Sequence, residues 1–241
     1  MSEFNTQKTM CPECGRTIEF DAWESIEIPY DGEQKEKVMD NTFFRVSCSH
    51  CRISFPIAYP CKYNDLEQRY LIWIAPKLDE KEQAAIAAHN HKLKNDAALR
   101  LAQNAYTFRI VRNSNELREK IRIFDEGLDD RILETLKLVY VPSIRKQIGA
   151  EAVISGLYFD KHPKSGEYQW VVLVAKREPL VGKIDMSVYE DMKEKMGALI
   201  EEKTGEGLVR IDARWATDVM MEYNKRKQMD SPKPPAEETD L

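Results

Sequence analysis

Alternating hydrophobic and polar positions dominate the first 75 residues and predict short β-strands. Ile18, Phe20 and Ala22 alternate with polar residues, which is the period of a half-buried strand. Asp31 can begin a short helix. The pattern predicts strands at residues 17–28, 41–47, 52–59 and 69–74, with a helix at 31–40 and with the last two strands joined around residues 62–65.

After residue 78 the apolar positions follow helical periodicity instead of strand alternation. Asp79 with Glu82, and Asn113 with Glu116, have the spacing of a capping box, in which two side chains satisfy free N–H groups at a helix start. The apolar run 170–174 predicts the central strand of a C-terminal sheet. The other predicted elements are helices at 79–103, 113–127, 129–149, 187–204 and from 212, with Pro142 ending or kinking one of them, and strands at 106–112, 152–160, 167–176 and 208–211.

Two short thiol pairs, Cys11-Pro-Glu-Cys14 and Cys48-Ser-His-Cys51, are the strongest chemical signal in the chain. A C-x-x-C turn places two sulfurs on one side, and four thiolates suit the tetrahedral preference of zinc. The spacing therefore predicts one Zn²⁺ site with Cys11, Cys14, Cys48 and Cys51 as ligands. Because four protein ligands leave no position for water, the zinc is expected to be structural.

Other interpretations of these cysteines are a disulfide, a thioredoxin-like redox pair, or an iron or iron–sulfur centre. The first nine residues are polar and lack the apolar segment of a signal peptide, so we expect a cytoplasmic, reducing location. Two matching pairs suit a metal better than a redox dithiol. Zinc is the favoured interpretation.

The elements and the thiol pairs together predict an α+β protein. We expect a zinc-ribbon-like antiparallel β domain at residues 1–78, a helical connector at 79–105, and a C-terminal α/β domain with an antiparallel hairpin at 106–228. The Pro- and Glu-rich residues 229–241 are expected to form a disordered tail, because they offer little apolar surface to bury.

The distribution of charge disfavours nucleic-acid binding. The net charge is −5, and residues 1–80 alone hold 9 Lys and Arg against 14 Asp and Glu. Neutralising phosphates requires a basic surface, whereas the part with the thiol pairs is the acidic one. No apolar run approaches the ~18 residues of a membrane span.

Several other residues are candidates for chemistry, each with a simpler interpretation. Cys61 has no partner at ligand spacing and is predicted to be a buried packing residue. His50 is predicted to lie at the surface or to support the metal ligands, and His89 and His91 to be solvated on a helix. The carboxylates of residues 125–130 surround Gly127, where one helix stops and another begins; a divalent cation or acid–base chemistry is the alternative.

Several features occur together in roughly the first 140 residues: the two thiol pairs, the segments 55–60 and 72–76, and residues 116–130. In this combination they resemble the CpXC domain family. The resemblance implies Cys11, Cys14, Cys48 and Cys51 as metal ligands, and implies no activity. Ser49 and Arg52 replace the proline and glycine usual in the family. A left-handed arginine costs ~1–2 kcal/mol, so we expect the second thiol turn to differ in shape.

Three hypotheses about function follow. The first is a non-catalytic zinc protein that binds another protein, as yet unknown. The second is a nucleic-acid-associated regulatory factor. The third is an enzyme that uses the carboxylates near Asp129 with a second metal. The sequence contains no G-x-S-x-G or H-E-x-x-H pattern, so no catalytic or cofactor-binding residue is predicted besides the zinc ligands.

Overall fold

The computed structural model describes residues 4–96, 106–149 and 151–230. The chain divides into two compact units: a first unit of residues 1–130, 152–184 and 205–210, and a second unit of residues 131–151, 185–204 and 211–241. The mixture of helices and antiparallel hairpins confirms the α+β class.

All described strands belong to the first unit. They are β1 Phe4–Met10, β2 Thr17–Trp23, β3 Ser25–Ile28, β4 Arg45–Ser47, β5 Ser54–Pro56, β6 Cys61–Asp65, β7 Tyr70–Ile74, β8 Thr107–Val111, β9 Ile154–Lys161, β10 Tyr168–Val174 and β11 Leu180–Lys183. Its helices are α1 Gly32–Met39, α2 Glu80–Asn95 and α3 Ser114–Asp125. Helix α4, Asp130–Ile148, has its first residue in the first unit and the rest in the second.

The core of the first unit covers a four-stranded sheet in the order β3-β6-β7-β8. The β6–β7 pair is antiparallel, but β3 pairs with β6 and β8 pairs with β7 in parallel, so the sheet is mixed rather than antiparallel. Strand β8 thus joins the same sheet as strands that precede the predicted connector. The fully buried side chains of Ile26, Tyr63 and Ile72 form the centre of this core.

Residues 62–65, expected to join two strands, instead lie in β6 and pair with β7. The turn is displaced to residues 66–69, where the Asp65 carboxylate accepts the N–H groups of Glu67 and Gln68 at 3.1 and 2.9 Å. Such a local side-chain bond stabilises a turn. The earlier predicted strand at 52–59 is shortened to β5, which pairs with β4 across the second thiol turn.

Both predicted N-caps are present, and the Glu82 and Glu116 carboxylates accept the N–H groups of Leu78 and Arg112, the residues just before each cap. Asp79 accepts the N–H of Glu82 at 3.0 Å, and Asn113 accepts the N–H of Glu116 at 2.9 Å. Helix α2 ends at Asn95, and residues 97–105 of the predicted connector lie outside the described residues, as do residues 231–241 of the predicted tail.

A second sheet of the first unit has the order β11-β10-β9 and confirms the predicted C-terminal hairpin with a central β10. In the second unit, α4 continues through Pro142, so this proline does not end the helix. The second unit also contains α5 Met186–Lys203 and α6 Ala213–Asp230. Among the described residues, no helix is both long and apolar enough to cross a membrane.

Candidate metal centre

The first thiol pair lies in the tight turn between β1 and β2, whose ladder ends at Met10 and Thr17. The N–H of Cys11 donates to the carbonyl of Arg16 at 2.9 Å, and the N–H of Gly15 donates to the carbonyl of Cys11 at 3.0 Å. Gly15 has a φ of +68°, a left-handed conformation that glycine adopts without strain. The local hydrogen bonds therefore hold this turn in one shape.

The second thiol pair repeats this turn between β4 and β5. The N–H of Cys48 donates to the carbonyl of Ile53 at 2.9 Å, and the N–H of Arg52 donates to the carbonyl of Cys48 at 2.9 Å. Arg52 has a φ of +62°, so it adopts the conformation of Gly15. The expectation of a different shape was wrong, because the hairpin and its hydrogen bonds impose the left-handed conformation on an arginine.

Replacing Arg52 by glycine is expected to stabilise the protein. The substitution relieves ~1–2 kcal/mol of left-handed strain and loses roughly 0.5–1 kcal/mol through the larger chain entropy of unfolded glycine. The expected net gain in the free energy of unfolding is about 0–1.5 kcal/mol, measured by denaturant titration. Gly15→Ala is the opposite control and should destabilise the equivalent turn. A destabilised Arg52→Gly variant would show that Arg52 is not strained.

The four sulfurs of the two turns come together. Sγ of Cys11 lies 3.5 Å from that of Cys51, and Sγ of Cys14 lies 3.7 Å from that of Cys48. All four sulfurs lie within 4.8 Å of one another. A tetrahedron with metal–sulfur bonds of about 2.3 Å has sulfurs about 3.8 Å apart, so the donor set fits one metal ion.

Burial divides the four cysteines into two kinds. Cys11 and Cys48 are each 2% exposed, whereas Cys14 and Cys51 lie at the surface. The buried pair packs in a small apolar cluster with Ile18, and Val46 and Phe55 cover it. One member of each C-x-x-C pair is therefore anchored in the protein, and the other closes the site from outside.

The electrostatics of the thiols favour a cation. The pKa of Cys48 is lowered to about 6, chiefly because the N–H of Cys51 donates to its sulfur, although burial opposes this. The hydrogen bond from the N–H of Ile53 lowers the pKa of Cys51, but burial and the three other thiols together outweigh it and raise this pKa to about 12. Four thiols this close cannot all ionise unless a positive charge compensates them. A metal ion provides that charge.

The two turns are also linked outside the sulfurs. Nη1 of Arg16 lies 2.9 Å from Nδ1 of His50. Because a guanidinium can only donate, Nδ1 accepts and the ring proton is on Nε2. Both side chains are exposed, which agrees with the prediction that His50 lies at the surface.

Cys61 is separate from this site and is 1% exposed in the main core. Burial raises the pKa of its thiol to about 12, so it stays protonated and unreactive. The prediction of a packing role is confirmed. His89, by contrast, is not simply solvated: its ring contacts Trp73 and Phe108, and burial, followed by Lys62 and Lys92, lowers its pKa.

The carboxylates of residues 125–130 do not converge. Asp125 binds Lys35 at 3.0 Å, and the Glu126 carboxylate accepts two hydrogen bonds from Lys161. Asp130 is 1% exposed and lies between two other cations. In the part of the chain that the structure describes, the four cysteines are the only group of three or more His, Cys, Asp or Glu residues that could hold a metal ion.

Comparison with known families agrees with this arrangement. The family described as CpXC protein matches residues 9–137, which is just over half of the chain. The chain belongs to the CpXC family. The CpXC region covers both thiol turns, the four-stranded sheet and α3, and it ends within α4. No curated protein and no solved structure gives a significant match.

Proposed function

We propose that this CpXC protein binds one structural zinc ion through Cys11, Cys14, Cys48 and Cys51. We further propose that it is a non-catalytic cytoplasmic protein whose zinc-held hairpins bind another protein. The observation that supports the metal most directly is the approach of all four sulfurs to within 4.8 Å. Zinc is favoured over other metals because it takes four thiolates in a tetrahedron and needs no redox chemistry.

A structural role is favoured by the closed donor set. Four cysteines fill the tetrahedral positions, so no position is available for water or a substrate. The carboxylates that could have supported a second metal bind separate lysines and an arginine. The enzyme hypothesis therefore has no support from the arrangement of these groups.

A protein-binding role is favoured by the surface of the β1–β2 hairpin. Glu19 and Asp21 lie two residues apart on β2, both exposed on the same side of the strand. Within the described residues, β1 pairs only with β2, so its other edge is open to a further strand. The carboxylates of this hairpin lie on its exposed face, where Glu19 pairs with Lys8 of β1 at 3.2 Å and Asp21 is exposed beside it. A basic extended segment suits this face better than a nucleic-acid backbone does.

Elemental analysis of purified protein tests the metal. We expect one zinc per chain in the wild type, a loss of zinc in Cys48→Ser, and full retention in Cys61→Ala, which removes a cysteine outside the cluster. Iron in place of zinc, or equal zinc in all three proteins, would contradict the proposed site.

Affinity capture with the same preparation tests the interaction. We expect a specific protein to be retained by the wild type and lost with Glu19→Lys/Asp21→Lys. The matched control is Glu178→Lys/Glu206→Lys, which changes the charge equally at two exposed positions outside the hairpin. Zinc content checks that each variant folds. Absence of any captured protein above background, or equal capture by both double variants, would contradict a role for the hairpin.

A further inference from the structure

A cavity of about 140 Å³ opens between α3 and the β9–β10 strands of the first unit. A single water occupies about 30 Å³, so the cavity has room for a small ligand. Its wall consists of side chains on one face of the helix and on the facing strands. They include Asn115, Arg118 and Arg122 from α3, and Tyr158, Val171 and Leu173 from the sheet.

Most charged groups around the cavity already have partners. Glu119 accepts the N–H of Phe159 at 2.6 Å. Arg122 forms an ion pair with Asp160. Both carboxylates that line the cavity are thus bonded to other groups, and the other arginine of the lining is Arg118.

Arg118 lies one helical turn before Arg122 and is only partly compensated. Its Nη2 donates to the side-chain oxygen of Asn115 at 2.5 Å. Its Nε is buried and has no hydrogen-bond partner among the described residues. Burial lowers the pKa of Arg118, and Tyr158 and Asp40 offset this only in part. A buried donor without an acceptor costs about 1–3 kcal/mol, so a bound acceptor would be favoured here.

A glycine shapes the opposite wall. A Cβ on Gly156 would lie 2.3 Å from a ring carbon of Tyr158, so the ring folds back over the glycine along β9. Any larger residue at 156 would displace the Tyr158 ring. A glycine inside a strand is unfavourable in itself and often marks a close approach, and here it leaves the space that the Tyr158 ring occupies.

We propose that this cavity binds a small organic acid whose carboxylate pairs with Arg118 and whose apolar body lies against Val171 and Leu173. A guanidinium matches a carboxylate through two parallel hydrogen bonds, and Nε is one of the donors that form such pairs. The two aliphatic side chains, half-buried on β10, offer the contact surface for the rest of the ligand.

The charges favour a monoanion over a phosphate. Glu119 and Asp160 both line the cavity, so a dianion would be repelled by two carboxylates while gaining one guanidinium whose Nε has no acceptor among the described residues. A carboxylate has a single charge and needs fewer donors. The chemical class is therefore a short aliphatic or aromatic monocarboxylate.

Calorimetric titration of the full zinc-loaded chain with acetate, hexanoate and inorganic phosphate, at constant ionic strength, tests the site. We expect hexanoate to bind at least tenfold more tightly than acetate, and Arg118→Gln to weaken hexanoate binding at least tenfold. Arg45→Gln, which removes an exposed arginine elsewhere in the first unit, should bind as the wild type. Leu173→Asn should bring hexanoate binding down towards that of acetate. Thermal unfolding checks that each variant is folded.

A shift of the Arg118 Nε–Hε resonance on hexanoate addition gives a second readout that does not depend on a variant. The proposal is overturned if hexanoate shows no saturable binding, if acetate binds as tightly as hexanoate, or if phosphate binds more tightly than both. Unchanged hexanoate binding by folded Arg118→Gln overturns it as well. Zinc content is measured separately, so failure here does not depend on the metal site.

Discussion

Removal of the metal by a strong zinc chelator is expected to unfold the thiol-bearing ends of the two hairpins, residues 9–18 and 45–56, while the four-stranded sheet persists. The base of the first hairpin should persist as well, because Phe20, Ala22 and Trp23 pack in the main core. The apolar cluster beneath the sulfurs contains only Cys11, Ile18 and Cys48 as buried members. Such a cluster cannot offset the entropy of ordering the two thiol-bearing ends. Structural zinc contributes about 10–16 kcal/mol in small zinc domains, so its loss should exceed what these ends retain.

Hydrogen–deuterium exchange with and without chelator measures this effect segment by segment. We expect rapid exchange in both thiol-bearing ends after chelation, unchanged protection in β6 and β7, and recovery when zinc is added back. Cys61→Ala should respond as the wild type does, because Cys61 belongs to the main core. If both thiol-bearing ends keep their protection after the metal is removed, the metal is not what holds them.

Replacing Asp130 by asparagine is expected to lower the free energy of unfolding by about 3–5 kcal/mol, the usual loss when one partner of a buried ion pair is removed. Asp130 accepts two hydrogen bonds from Arg109, at 2.7 and 2.8 Å, and lies 2.7 Å from Nζ of Lys120. All three side chains are at most 8% exposed. The neutral amide would leave two buried cations without a counter-charge.

The same triad predicts a dependence on pH. Burial alone would raise the pKa of Asp130, but Arg109 and Lys120 outweigh it and hold the pKa well below its usual range. A lowered folded-state pKa stabilises the protein above the unfolded value of about 3.9, and this contribution is lost as the pH falls below it. Stability measured below about pH 4 should therefore decline more steeply for the wild type than for Asp130→Asn.

Two controls separate the charge imbalance from a general loss of packing. Asp129→Asn changes the neighbouring, less buried carboxylate and should cost less than about 1 kcal/mol. The triple variant Arg109→Met/Lys120→Met/Asp130→Leu removes all three charges and should be more stable than Asp130→Asn, since apolar replacements of buried ion networks are often tolerated. A triple variant less stable than the single one would contradict this explanation.

The sequence by itself determined the features that depend on near neighbours in the chain. The C-x-x-C spacing and Gly15 specify a turn within six residues, and the N-caps at Asp79 and Asn113 act over three. The strand periodicity and the apolar run at 170–174 likewise predicted β2, β10 and the α+β class. These signals are readable because local hydrogen bonds and side-chain direction repeat with fixed short periods.

Only the tertiary structure decided which distant segments meet. The parallel pairing of β7 with β8 bridges the whole predicted connector, and no local period encodes it. Asp130 was predicted in a carboxylate cluster at a helix boundary. Its partners are instead Arg109 on β8 and Lys120 on α3, which the fold brings next to it. Arg52 was expected to alter its turn, but the hairpin imposed the conformation. Contacts between residues far apart in the sequence decide these cases. A buried charge is stable only beside an opposite charge, and the nearest opposite charges belong to segments that only the fold brings together.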